Sequence, residues 1–363
     1  MPGIITHKTA FYESLAYLHG KKHRSFLSRS IEALFGSADH HRAALFGTLG
    51  PNIFDYWPLR RHTAIGSSLS GMLHDGGAVK LSIRMLDRII AMTDFNNEWS
   101  STQRAYFYGF VSHLVCDYII HPFVFYWSGF PSQGGKAETR FYREQNLLFQ
   151  YNMDLFFQYH YREKRRSFEV DDMLPVRGKG LSSRLDPPVK EFILGSLEEE
   201  FPGKIDRLVW KKGPDEDRRL SHSLGFLDVC PALIKAAYRI KMGNHPRYLK
   251  TIKALRRRNL VYSDFLVPYP HPRSINRHII NLHRERWLNP AGTSGIRYES
   301  VEDLMRQCCE ITVEVWERTE GILFGQKRNY ERIQKHLSVN ALTGQPGMSF
   351  SEMKHKEPVI LKY

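Results

Sequence analysis

The chain has 363 residues, room for one large domain or two smaller ones, and its 42% apolar and 25% charged residues exclude a disordered or fibrous protein. Its formal net charge of +14 favours anionic partners, whether nucleic acid, lipid headgroups or phosphorylated substrates, without choosing among them. The opening MPGIITHKTAFYESL has no basic n-region or apolar h-region, and no uncharged run of about 18 apolar residues occurs.

These absences argue against a secretory signal or a spanning helix. The expected location is cytoplasmic, with peripheral membrane contact through the basic surface. The four cysteines (116, 230, 308 and 309) have no CxxC spacing, which fits a reducing compartment. The short basic runs REKRR (162–166) and LRRRN (255–259) read as solvated helix faces.

Taken in chain order, most segments have helical period. TAFYESLAYL (9–18) predicts a helix that Thr6 or Thr9 caps, and RSFLSRSIEALFG (24–36) another that ends at glycine. GTLGPNIFDYWP (47–58) reads as a loop over packed aromatics, and 78–92 as a helix. A long helix is expected from near Thr102 to Ile120, ended or kinked by Pro122. SGFPSQGG (128–135) is a loop, and 137–165 a further long helix. The Pro-, Gly- and Ser-rich stretch 171–188 reads as a loop, lid or weak boundary. Helices follow near 189–200, 218–241 and 246–258, then extended LVPYPHPRS (266–274). SVEDLMRQCCEITVEVWERTEGIL (300–323) opens on Ser300 and Asp303, close to a capping box. The tail from about Gly344 is polar and expected to fray. No internal repeat or convincing strand set occurs, so the fold class is all-α: one multi-helix domain over 1–330 and a partly frayed extension over 331–363.

Within GFVSHLVCDYIIHPFVFYW (109–127), His113, Asp117 and His121 recur every four residues. Each such step rotates about 40° on a helix, so the three share one face among apolar neighbours. A buried carboxylate without a partner costs several kcal/mol. Mutual His–Asp hydrogen bonding answers this for one pair. For three groups in series, a divalent metal satisfies all at once, because imidazole nitrogen and carboxylate oxygen are ordinary zinc ligands. Further ligands would come from His7, His40, His41, His74 or Asp75, each of which taken alone also fits a surface or satisfied core position.

In their order, MPGIITHKTAF, LFGTLGPNIFDYWP, GMLHDGG, AYFYGFVSHLVCDYIIHPFV and NLHRERWLNP…ESVEDLMRQCCE resemble the bacterial zinc-dependent phospholipase C family, over about residues 1–320. Its helical fold also resembles that of the zinc-dependent single-strand nucleases. The most specific match is G-F-x-x-H-x-x-x-D-x-x-x-H-P at 109–122. The resemblance implies metal ligands at His7, Asn52, His74, His113, Asp117 and His121. A family helix written H-x-x-x-E-x-x-x-D falls on Asn146, Gln150 and Asp154. The sequence departs from the pattern here, since Asn52, Asn146 and Gln150 stand where the family has ionisable ligands. Amide oxygens coordinate zinc more weakly. The expectation is therefore one or two zinc ions rather than three, with Asp55 as the candidate catalytic carboxylate; if the 146–154 helix aligns differently, Glu138 or Glu144 would supply the family's acid in place of Gln150.

The implied activity is hydrolysis of a phospholipid or similar phosphodiester by metal-activated water. Two other readings stand beside it. One is the same fold with a degraded site, binding metal or phosphate without turnover. The other, less favoured, is a basic nucleic-acid binder or nuclease. The aromatic segments FDYWP and FVFYW would line a cleft or simply pack the core.

Overall fold

The computed structural model describes residues 3–21, 25–56, 69–130, 136–161, 169–178, 183–211, 224–242, 269, 277–292, 295–326 and 328–354. Ten helices organise these residues: α1 (Ile4–Gly20), α2 (Phe26–Phe35), α3 (Ala38–Gly47), α4 (Ala78–Ile90), α5 (Glu98–Ser128), α6 (Lys136–Tyr159), α7 (Pro187–Glu200), α8 (Phe226–Met242), α9 (Val301–Leu323) and α10 (Asn329–Leu337). Among the described residues, strands are limited to two short antiparallel pairs, Val176–Arg177 with Arg184–Leu185 and Val209–Lys211 with Leu224–Gly225, beside isolated bridges at Trp287–Arg297 and Val339–Pro346. The class is all-α. The runs at 162–166 and 255–259, the helix expected at 246–258 and the segment 266–274 lie wholly or almost wholly outside the described residues.

Helix α5 is the axis of the fold. It is buried all round, every residue from Ser100 to Phe125 lying in the interior, the polar ones included. Asn97 caps it by accepting from the Ser100 amide at 2.8 Å. The helix runs through Pro122 and stops at Gly129, longer than expected. Proline removes only one bond of the ladder, to the Tyr118 carbonyl, and close packing on every side holds the remaining turns in line.

Helix α3 crosses α5 with backbone against backbone. A Cβ at Gly109 would stand 1.8 Å from the Ala44 carbonyl oxygen, and one at Gly47 would stand 2.2 Å from that of Tyr106. Only glycine permits this approach. Helix α9 packs along α1 and α5. Its start is the expected capping box, with Ser300 Oγ accepting from the Asp303 amide and Asp303 Oδ2 from the Ser300 amide. Within it, the buried Glu320 accepts from Tyr108 at 2.5 Å and Ser30 at 2.7 Å, beside Arg104 at 3.5 Å. A carboxylate so placed is held by three partners rather than left bare.

Two expectations change. Helix α1 begins at Ile4, upstream of the expected cap, and neither Thr6 nor Thr9 caps it. The chain beyond Gly344, expected to fray, is packed as far as Lys354; residues 355–363 lie outside the described residues.

Candidate metal centre

Five side chains from three elements converge in the interior. His7 comes from the first turns of α1, His74 from a π-helical turn at Leu73–Gly77, and His113, Asp117 and His121 from one face of α5. None is more than 3% exposed. Asp117 is the centre. Its Oδ1 lies 3.4 Å from His7 Nε2 and 3.6 Å from His121 Nε2, and its Oδ2 lies 2.9 Å from His113 Nε2 and 3.6 Å from His74 Nε2. The His7 and His113 rings stack at 4.1 Å.

The far nitrogens explain why the near ones matter. Nδ1 of His74 donates to the Ser70 carbonyl at 2.7 Å, that of His113 to the Thr48 carbonyl at 2.8 Å, and that of His121 to the Ala341 carbonyl at 2.6 Å. A neutral imidazole carries one proton, so these bonds leave the lone pair on Nε2, aimed at the carboxylate. All four Nε2 atoms and both Asp117 oxygens are buried without a hydrogen bond of acceptable geometry. Lone pairs facing a carboxylate repel it unless protons or a cation stand between them.

Burial, against the nearby Asp117 charge, takes His74 down to about 4 and His121 well below the ordinary histidine value, so both are neutral at pH 7. For His7, burial and His113 press downward, but Cys116 and Asp117 outweigh them and raise it. Asp117 is buried too, yet His113, His121 and His7 hold it well below the usual carboxylate range. A buried anion faced by four imidazoles, of which His74 and His121 are neutral, is the donor chemistry of a divalent ion. The spacing agrees: two ligands each about 2.0–2.1 Å from a tetrahedral ion stand roughly 3.3 Å apart, and the observed pairs run from 2.9 to 3.6 Å. His7, His113 and Asp117 offer ligand atoms all within 4.8 Å of one another, so this group could bind a metal ion.

The other expected residues have different surroundings. Asn52 sits on a 3-10 turn, Gly50–Tyr56, with its Oδ1 buried and without a hydrogen-bond partner. Asp55, half-buried on the same turn, lies beside Tyr56, whose hydroxyl both burial and that carboxylate push up. Gln150 donates to Asn146 at 2.5 Å, and Asn146 to Ser128 Oγ at 3.2 Å, so the two amides form a chain that ends on Ser128. Glu144 is half-buried on the same helix, and the side chain of Glu138 is not among those described.

Asp154 is fully engaged elsewhere. It accepts from the Thr6 amide at 2.8 Å, from Thr6 Oγ1 at 2.7 Å and from the Tyr269 hydroxyl at 2.6 Å. It caps the start of α1 from another helix and thereby fixes the turn that carries His7. Asp75 also faces away from the centre, taking Asn340 Nδ2 at 3.2 Å and the Phe350 amide at 2.9 Å on Oδ1. His40 bonds the Leu34 carbonyl and His41 bonds Tyr12, so both have partners outside the cluster. Sequence reasoning missed Thr48, Ser70 and Ala341, because each acts through its backbone carbonyl and leaves no mark in the sequence.

No protein-family model, curated protein or solved structure matches the chain. No helix among the described residues is long and apolar enough to cross a membrane.

Proposed function

We propose that this protein is a metal-dependent phosphodiester hydrolase, zinc-loaded and similar in kind to the zinc-dependent phospholipases C, acting on a phospholipid or related diester. The observation that carries the reading is the convergence of four bare Nε2 atoms on one buried carboxylate, three of them locked in that tautomer by carbonyl partners. Such carbonyl bonds to the far nitrogen are how proteins orient metal-ligating histidines.

His7, His74, His113, Asp117 and His121 would hold the metal. His7 and His121 face one oxygen of Asp117, and His74 and His113 the other. This donor set serves one ion or two that share the carboxylate. A divalent ion held there supplies Lewis-acid polarisation of a phosphoryl oxygen and acidified water near neutral pH. Asp55 would orient the attacking water and take its proton, and the net positive charge of the chain raises the local concentration of anionic substrate.

A second reading keeps the metal and drops turnover. Two observations favour it: the deep burial of all five ligands, and the amide pair Asn146–Gln150 where the resemblance places ionisable ligands. Elemental analysis of protein purified without chelator or affinity metal, with hydrolysis of a chromogenic choline phosphodiester, separates the two. Zinc at one or more per chain, with turnover that His113→Ala abolishes, supports the hydrolase. Zinc without turnover on any diester supports the binding module, and absence of metal overturns both.

A further inference from the structure

We propose that the segment Val339–Met353 is a working part of the metal centre, a strap that holds His121 directly and His74 through its neighbour Asp75, so that metal affinity depends on it. This rests on the reading of those histidines as ligands.

The segment reaches both halves of the ligand set at once. Its Ala341 carbonyl accepts from His121 Nδ1 at 2.6 Å, which leaves the His121 lone pair on Nε2. The preceding residue, Asn340, donates Nδ2 to Asp75 Oδ1 at 3.2 Å, and nine residues after Ala341 the Phe350 amide donates to the same oxygen at 2.9 Å. Asp75 follows His74 where the π-turn departs from helical geometry, with ψ of 53° at Asp75 and φ of 98° at Gly76. A turn that irregular is held by what binds it, and here the strap supplies two of the bonds. His121 faces Oδ1 of Asp117 and His74 faces Oδ2, so one stretch of chain steadies ligands on opposite sides of the carboxylate.

The strap is itself cross-tied. Val339 and Pro346 form an antiparallel bridge, Asn340 Oδ1 accepts from the Leu342 and Thr343 amides, and Asn289 donates to the Thr343 carbonyl. Phe350 packs against Phe125 and Phe130 beyond the end of the ligand face. Gly344 seats the strap on α5 at the point where Pro122 frees the Tyr118 carbonyl. A Cβ there would stand 2.6 Å from that oxygen and 2.9 Å from the proline ring, and φ is +65°. The strap therefore sits directly on the helix at the turn where proline removes a backbone bond.

The test uses the full-length protein and three variants. Asp75→Ala removes the acceptor, Asp75→Asn keeps an Oδ1 in its place, and Asn340→Ala removes one donor. Zinc affinity is read by chelator competition, ligand geometry by the visible absorption of the cobalt-loaded protein, and folding by thermal unfolding of the metal-free chains. Asp75→Ala should bind zinc about tenfold more weakly or worse and alter the cobalt spectrum, the usual scale for losing an outer-shell partner, while Asp75→Asn stays near the parent. If Asp75→Ala does not fold, Asn340→Ala carries the same expectation. Variants that bind zinc as tightly as the parent, with an unchanged cobalt spectrum, overturn the strap alone. A parent chain that takes up neither ion overturns the ligand reading and the strap with it.

Discussion

Nε2 of His113 stands 2.9 Å from Oδ2 of Asp117, one turn along the same helix and outside hydrogen-bond geometry, while Nδ1 of the same ring donates to the Thr48 carbonyl. The carboxylate is stable there only with a cation or with protons borrowed from its neighbours. Asp117→Asn should therefore lower two measurements. Zinc content should fall to background by elemental analysis. The metal-free variant should unfold at a lower temperature than the metal-free parent, because its histidine neighbours favour the Asp117 anion in the folded chain and an amide carries no charge. Melting with and without chelator checks both: the parent should lose stability on chelation and the variant should not.

The metal-free protein should also be acid-sensitive in a defined window. Free histidine takes its proton near pH 6.5, whereas burial delays His74 to about pH 4. Between those values the unfolded chain binds more protons than the folded one, so stability rises with pH and falls as pH drops. His74 alone contributes about 3 kcal/mol to that loss. Asp117, held below its ordinary value, adds a loss of the same sign at pH below about 3.8. Denaturant unfolding from pH 7 to pH 4 should show the slope, and His74→Asn should reduce it, leaving the part that His121 contributes with the same sign. An unchanged slope in the variant would assign the effect to other groups.

Much of this centre was legible because one regular element carries most of it. His113, Asp117 and His121 need only a helix to share a face, and the apolar neighbours of that helix already implied burial. His7 and His74 were reached through the order of motifs, since spacing says nothing about contacts across 40 or 100 residues. The all-α class followed from the periodicity. What the sequence concealed lies in the backbone: the carbonyls of Ser70, Thr48 and Ala341, and the packing of a polar tail against α5. The role of Asp154 was hidden for a related reason. It keeps the acid that the resemblance expects but uses it to cap another helix.

That cap gives a third expectation. Three donors from Thr6 and Tyr269 meet the Asp154 carboxylate, which burial, against those hydrogen bonds, leaves above the usual range. Asp154→Ala strands them and leaves the first turn of α1 uncapped. The cost should be about 3 kcal/mol in denaturant unfolding, the scale of losing buried hydrogen bonds to a charged group. Zinc affinity should fall with it, because His7 lies one residue beyond Thr6. Tyr269→Phe, which removes one donor and leaves the cap, should cost about 1–2 kcal/mol and leave zinc binding near that of the parent. Equal zinc affinity in Asp154→Ala would show that His7 is positioned by other contacts.

The turn that presses on His113 yields the last. Gly50 has φ of +51°, and a Cβ built there would stand 2.3 Å from His113 Cδ2. Gly50→Ala meets two penalties, about 1–2 kcal/mol for the left-handed backbone and about 1–3 kcal/mol for the overlap. Because the atom it strikes belongs to a proposed ligand ring, relief of the clash must turn or push that ring away from Asp117. Stability should fall by about 3 kcal/mol and zinc affinity should drop further than in a variant of equal instability elsewhere. Gly71→Ala is the control: nothing lies within 4 Å of its Cβ, so it should be neutral or stabilise by up to about 1 kcal/mol, with zinc binding intact. Denaturant unfolding and chelator competition on both variants decide it. Loss of stability without loss of zinc affinity in Gly50→Ala would mean that the loop, rather than the ring, gives way.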